Sequence, residues 1–181
     1  MNDMTAANLR SAYGGESQAR TRYNIWGEIA TKEGFPNVGR LFHATSDAEK
    51  IHATLHFKAL GAVKGDFDVF SGAGFGIGST SENLQGAIDG EVFEYTQMYP
   101  AYITVAEMQG EKTAVRAMQF AIEAEKVHAK KYTIAKEAVD AGKDLEVEKV
   151  YLCPVCGYIA LDGNDDLCPL CNAKKELFVQ Y

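Results

Sequence analysis

Glu49-Lys50-Ile51-His52 and Glu125-Lys126-Val127-His128 are the same four-residue figure, and their setting decides the fold. Residues three apart on a helix share a face, so each figure presents a carboxylate and an imidazole side by side. The apolar residues around them keep helical spacing: Thr45 and Leu55 continue the stripe through the first figure, Ile122 and Tyr132 through the second. Both figures therefore point toward the inside of a helical protein rather than toward water.

Four helical blocks extend outward from these figures. The first runs through Leu9, Ala12, Tyr13, Ala19, Tyr23, Trp26 and Ala30 and stops at Gly34-Phe35-Pro36. Pro36 suits the first turn of the second block, which carries Val38, Leu41, Phe42, Ala48, Leu55 and Ala59 and ends near Gly61. Residues 61–80 are glycine-rich with little periodicity and read as a long connection, with or without a short helix of its own. No strand precedes these glycines, so they do not read as a phosphate-cradling loop. Ser79-x-x-Glu82 has the form of a capping box and opens a third helix through Leu84, Ala87, Ile88, Tyr95, Met98, Tyr102 and Val105, with a kink expected at Pro100. The fourth follows Gly110, carries Ala114, Met118, Ala121, Ile122, Tyr132 and Ala135, and ends near Gly142.

Every one of these stripes is broken by acid. Glu16 interrupts the first, Glu49 and His52 the second, Glu91 and Glu94 the third, Glu125 and His128 the fourth. Unpaired carboxylates in a core are costly or must protonate, so this set calls for a compensating cation. One Glu from each of two helices plus a Glu-x-x-His from each of the other two is the donor set of ferritin-like di-iron bundles. Oxygen and imidazole donors without thiolate suit iron or manganese better than zinc or copper. The competing reading is that these are solvated faces of ordinary acidic helices; the repetition of the figure in phase with the apolar stripe argues against it. A weak repeat adds support, because Gly15-Glu16 precedes Glu49 by nearly the interval at which Gly90-Glu91 precedes Glu125. The repeat makes the bundle two copies of one helical hairpin. Glu94 has no counterpart in the first copy and is a surplus ligand. His43 and His56 match no ligand position.

The texture changes beyond Gly142. Strand-like runs, Leu145–Tyr151 and Glu176–Val179, flank Cys153-Pro154-Val155-Cys156 and Cys168-Pro169-Leu170-Cys171. Two such pairs supply four thiolates to one tetrahedral metal, iron or zinc, and so small a piece needs the metal as its staple. We expect two domains, residues 1–143 and 144–181: a mainly α, ferritin-like four-helix bundle and a small rubredoxin-like module. All 4 cysteines fall in these two pairs, which in a reducing compartment means metal rather than disulfide. A net charge of −7 disfavours nucleic acid and anionic membranes as partners. The beginning of the chain has neither a basic nor an apolar leader segment, and no apolar run is long enough to span a bilayer, which points to the cytoplasm.

Taken together, the chain resembles the rubrerythrins. The likeness rests on Gly15-Glu16-Ser17-Gln18-Ala19-Arg20-Thr21-Arg22-Tyr23, both Glu-x-x-His figures, Glu91-x-x-Glu94 with Met98-Tyr99-Pro100, and the cysteine module, and so covers nearly all 181 residues. It implies a non-haem di-iron peroxidase that reduces hydrogen peroxide to water in oxidative-stress defence. Two irons would be held by Glu16, Glu49, His52, Glu91, Glu94, Glu125 and His128, and a third by Cys153, Cys156, Cys168 and Cys171. The resemblance implies that Glu94 holds one iron when oxidised and His52 replaces it on reduction, while Tyr23 and Tyr99 hydrogen-bond the carboxylates. Plain core packing is the competing role for those two tyrosines. The eleven residues between Cys156 and Cys168 are fewer than in free-standing rubredoxins, as in other rubrerythrin tails.

The implied electron donors are an NAD(P)H-dependent reductase or a rubredoxin, and the implied assembly is a head-to-tail homodimer. The glycine-rich connection leaves swapped and unswapped hairpins both open. Two rival functions stand beside this reading: ferritin-like iron oxidation and storage with a structural zinc-ribbon tail, and a metal-stapled interaction protein without turnover.

Overall fold

The computed structural model describes residues 1–163 and 166–181. Its helices are α1 (Asp3–Lys32), α2 (Pro36–Ala59), α3 (Thr80–Phe93), α4 (Tyr99–Met108) and α5 (Lys112–Asp140). Strands β1 (Val150–Leu152), β2 (Ile159–Leu161) and β3 (Val179–Gln180) follow, with a 3-10 turn at Lys175–Leu177. α1 packs chiefly on α2 and α3 on α5, which gives the two hairpins expected from the repeat. Alanines line the contacts: Ala12, Ala30, Ala44, Ala48, Ala114, Ala121, Ala124 and Ala135 are completely buried. Such small side chains let the helices approach closely, and Leu9, Leu41, Phe42, Leu84, Met118 and Tyr132 fill the remaining space.

The helix starts follow their sequence signals. Pro36 occupies the first turn of α2, and Ser79 and Glu82 form the capping box of α3 in both directions. The connection, residues 61–79, contains no helix or strand and lies along α1. It is pinned through its carbonyls: Ser11 Oγ donates to Phe70 O, Arg22 to Gly74 O and Trp26 Nε1 to Gly76 O.

The third helix departs from the expected simple kink. Glu94–Met98 form a π turn, in which the Tyr99 N–H bonds Glu94 O. Pro100 has no N–H to give to the turn before it, which frees the carbonyls there to widen. The extra residue has a consequence for the site. Tyr23 follows Glu16 by two α-helical turns and shares its face. Tyr99 follows Glu91 by one residue more, and the π turn absorbs that residue, so Tyr99 also comes inward.

Leu145–Lys149 is not a strand, and β2 forms where the sequence showed no clear strand. Leu145 and Val147 instead turn into the core cluster shared by α1, α2 and α5, where Val150, Leu152 and Ile159 join them. Asp144 accepts from the Asn37 and Val38 N–H groups, supplying from afar the cap that Phe35 cannot give α2. Arg40 donates to Val147 O and Glu148 O. β1 pairs antiparallel with both β2 and β3, so the sheet order is β2-β1-β3. The cysteine module thus lies directly against its own bundle. No described helix is long and apolar enough to cross a membrane.

Candidate metal centres

α1 carries Glu16, α2 carries Glu49 and His52, α3 carries Glu91, and α5 carries Glu125 and His128; all six side chains are buried. Their donor atoms fall into two groups, Glu16–Glu49–His52–Glu125 and Glu49–Glu91–Glu125–His128, with all donors of a group within 4.8 Å of one another. Glu49 and Glu125 belong to both groups. A pair of ions held here would share the carboxylates of the two Glu-x-x-His figures, while Glu16 and Glu91 would each serve one.

The donors fit a metal pair better than they fit each other. Glu16 Oε2, Glu49 Oε1, Glu91 Oε2, both Glu125 oxygens and His128 Nδ1 are buried and lack a hydrogen-bond partner among the described residues. Glu125 lies 2.7 Å from His52 Nδ1 and 2.8 Å from His128 Nδ1, close but outside hydrogen-bond alignment. Side chains converging on a shared cation make contacts of this kind. On the opposite edge, His52 Nε2 is 3.0 Å from Cys156 O and His128 Nε2 is 2.9 Å from Gly157 O. A carbonyl only accepts, so both Nε2 atoms donate there, and both Nδ1 atoms face the carboxylates, His52 Nδ1 at 3.0 Å from Glu49 Oε2; once the proton held on that side is displaced, each Nδ1 is the atom left to ligate a metal.

Without a cation the cluster is electrostatically frustrated. Burial, then the Glu125 and Glu91 carboxylates, push Glu49 well above the usual carboxylate range. Burial and Glu125 push Glu91 up to about 8. Burial disfavours the charge on His128, but Glu125 outweighs it and raises the imidazole to about 10. Burial and Glu125 would raise Glu16 also, yet His52 and His56 hold it at about 2.

Glu94 stands apart from both groups. It is half-buried on the π turn and lines a cavity of about 760 Å³ with Gly15, Arg22, Trp26, Met98 and the glycine-rich connection. Burial and the Glu16 charge hold its carboxyl well above the ordinary range. His52, by contrast, lies in the first group. Tyr23 donates to Glu91 Oε1 at 2.8 Å and Tyr99 donates to Glu16 Oε1, so each tyrosine serves the carboxylate of the opposite hairpin. His43 bonds Asn24 away from the site. His56, which the ligand pattern passes over, contacts the Tyr99 hydroxyl at 2.8 Å; its only sequence signal is its place one turn beyond His52.

The four cysteine sulfurs form a third group. Cys153 and Cys171 Sγ are 3.6 Å apart and Cys156 and Cys168 Sγ 3.5 Å, near the edge of about 3.8 Å that a tetrahedron with 2.3 Å metal–sulfur bonds would have. Each knuckle closes on a residue with positive φ, Gly157 (81°) and Asn172 (61°), whose N–H returns to the first cysteine's carbonyl. Gly157 has a second reason to be glycine: a Cβ there would lie 2.3 Å from His52 Nε2.

The sequence model of the rubrerythrin family matches residues 7–136, and that of the rubrerythrin rubredoxin-like domain matches residues 151–179. The chain belongs to the rubrerythrin family. Rubrerythrin-2 of Clostridium acetobutylicum is 50% identical over 180 residues, covering 99% of this chain and 98% of that one. Nigerythrin of Nitratidesulfovibrio vulgaris is 34% identical, covering 98% and 86%. Fully reduced, all-ferrous nigerythrin superposes with a TM-score of 0.89 at 34% identity, covering 100% of this chain and 88% of the other. As a rubrerythrin, the chain has a di-iron site at the carboxylate–histidine cluster and a rubredoxin-like site at the four cysteines. Its family is one of oxidoreductases.

Proposed function

We propose that the protein is a cytoplasmic peroxidase that reduces hydrogen peroxide to water, with electrons entering at the cysteine module from an NAD(P)H-dependent reductase or a rubredoxin. The overall balance is one peroxide, two electrons and two protons to two waters. The observation that carries this reading is the contact of His52 and His128 with the Cys156–Gly157 peptide. Two ferrous ions, when bound, would supply the two electrons needed for cleavage of the O–O bond.

The chain's own residues set the conditions. Glu49 and Glu125 would hold the pair together and Glu16 and Glu91 would complete it, while Tyr99 and Tyr23 fix the orientation of those last two carboxylates. Cys156 is both a thiolate donor and the residue whose carbonyl accepts from His52, so covalent bonds and one hydrogen bond span the two centres. The cavity beneath the glycine-rich connection reaches Glu94, and we read it as the entry for peroxide, with Glu94 as an exchangeable ligand that alternates with His52. The division into residues 1–143 and 144–181 belongs to the same proposal. Electron delivery runs within one chain in this arrangement; in a head-to-tail homodimer, swapped or unswapped, the same contact would form between chains, and an active species that is monomeric across dilution would rule that cross-chain route out.

Cys171→Ser tests the wire. Donor-driven turnover should be lost, while a chemically reduced bundle still consumes one equivalent of peroxide. Equal loss of both would mean that the tail is only structural support. Faster oxidation of the reduced protein by dioxygen than by peroxide would favour iron storage instead.

A further inference from the structure

Three histidines are buried, and His56 is the one outside both ligand groups. Its Nε2 lies 2.8 Å from the Tyr99 hydroxyl, the ring centroids are 5.7 Å apart, and its Nδ1 has no partner among the described residues. Tyr99 in turn donates to Glu16 Oε1. A phenol has one proton to give, and here Glu16 receives it. The His56–Tyr99 bond must therefore take its hydrogen from Nε2, which leaves Nδ1 as a bare acceptor. A buried acceptor without a partner is better tolerated than a buried N–H without one. The chain of donors is His56 to Tyr99 to Glu16, and it ends at the carboxylate of the first ligand group.

The internal repeat supplies a control. His52 corresponds to His128, so His56, one turn further on, corresponds to Tyr132. Tyr132 sits edge-on against Tyr23 with ring centroids 5.6 Å apart. Tyr23 donates to Glu91, but among the described residues no side chain donates to the Tyr23 hydroxyl. One of the two tyrosines is thus backed by a donor and the other by a ring.

We infer that His56 is a positioning residue that acts through Tyr99 to draw negative charge away from Glu16, making the iron position beside His52 the more easily reduced of the two. Donation from His56 polarises the Tyr99 O–H and strengthens the bond it gives to Glu16. A carboxylate that accepts a stronger hydrogen bond is a weaker donor to metal, and a ferric ion loses more by this than a ferrous one. Hydrogen bonding to ligands tunes redox potential in the same way at other iron sites. The inference rests on the di-iron reading above and adds an asymmetry between its halves.

Redox titration of the iron-loaded full chain, followed by Mössbauer spectroscopy, tests it. His56→Phe keeps a ring but no donor, and should move the more positive di-iron couple to lower potential while moving the other couple less. His56→Gln retains an N–H donor and should stay near the parent protein. Tyr99→Phe should lower the same couple, and adding His56→Phe to it should shift it by much less than His56→Phe does alone, because the Tyr99 hydroxyl stands between Nε2 and Glu16 Oε1, which are 3.7 Å apart. Equal shifts in His56→Phe and His56→Gln, additive shifts in the double variant, or unmoved couples would each overturn the proposal. If His56→Phe does not fold, His56→Met, which also lacks a donor, takes its place and should lower the same couple where His56→Gln does not. Two unshifted bundle couples would sink the role of His56 and leave the di-iron reading standing, whereas the absence of any bundle couple would sink both.

Discussion

The carboxylate cluster and the cysteine knuckles hold their donors in opposite ways. The six bundle donors lie among two large apolar clusters, one including Leu41, Phe42, Leu84 and Tyr132, the other Leu9, Ala114 and Met118. Those clusters close the helices whether or not the donors are satisfied. In the knuckles the buried core is Cys153, Cys156 and Cys168 themselves, with Tyr158, Leu170 and Phe178 packed outside them. Metal in the bundle would relieve charge, whereas metal in the knuckles would take the place of a core. A single chain thus carries one site that strains its fold and one site that completes it.

Metal removal should separate the two regions most strongly. Structural tetrahedral sites contribute apparent energies on the order of 10 kcal/mol or more to folding. The stripped chain should keep its helical circular dichroism but lose amide-exchange protection around Cys153–Gly157 and Cys168–Asn172. Residues 145–152 should stay protected, because they pack on α2. Helices that melt together with the knuckles would break the comparison. Reloading the bundle at pH 7 should release protons, since His128, raised to about 10, and Glu91, raised to about 8, hold theirs until a cation displaces them. Bundle affinity for ferrous iron should therefore rise with pH through neutrality, which calorimetry in buffers of different ionisation enthalpy would detect.

Gly157→Ala should come next, because it strikes the contact between the two regions. Its φ of 81° and the approach of a Cβ to 2.3 Å from His52 Nε2 leave the peptide no room to stay docked. We expect all metals to remain bound and donor-driven turnover to fall by at least about tenfold, of the order seen when partners of metal-bound histidines are lost. Unchanged turnover in a fully loaded protein would show that electrons do not pass this way.

What could be read from the sequence follows the same division. Helix periods, breakers, the Ser79 capping box and the Glu-x-x-His spacing are local, and the structure reproduces them. The docking of the tail is not local: Arg40 meets Glu148, and His52 meets Cys156, across more than a hundred residues. Leu145 and Val147 alternate as a strand would, yet they bury against α2 rather than pairing. The π turn escaped because Pro100 signals a disturbance without giving its form, and only the Tyr23–Glu91 and Tyr99–Glu16 bonds show why an extra residue is accommodated. His56 escaped because a histidine one turn beyond a ligand looks like core until its hydroxyl partner is placed.

A smaller effect, confined to the bundle, is expected from Glu94→Ala. Glu94 lies outside both donor groups while His52 lies within one, so ferrous loading should persist nearly unchanged. The diferric state should be destabilised and peroxide turnover slowed more than iron binding is weakened, because ferric iron favours the extra carboxylate. His52→Leu should do the reverse and impair the reduced state. Crystal structures of both oxidation states with identical ligands would make Glu94 an ordinary fixed residue.

The smallest effect tests whether bundle stability is independent of metal. Ser79 Oγ accepts from the Glu82 N–H, and Glu82 Oε2 accepts from the Ser79 N–H at 2.8 Å. Ser79→Ala removes one half of this box and should cost about 1 kcal/mol, or roughly 2–4 °C in Tm for a chain of this size. The cost should be the same with the bundle loaded or stripped, since the cap lies at the start of α3 and touches no donor. The Ser79 N–H, followed by its hydroxyl, holds the Glu82 carboxyl below its usual range. The carboxylate's share is therefore fully present above the ordinary glutamate pKa and fades as the pH falls through the lowered one. In acid, the parent loses this share too, so the gap between parent and Ser79→Ala should narrow. A gap that widens in acid, or that depends on iron, would mean that the end of α3 is coupled to the metal site and that the bundle does not close independently of its donors.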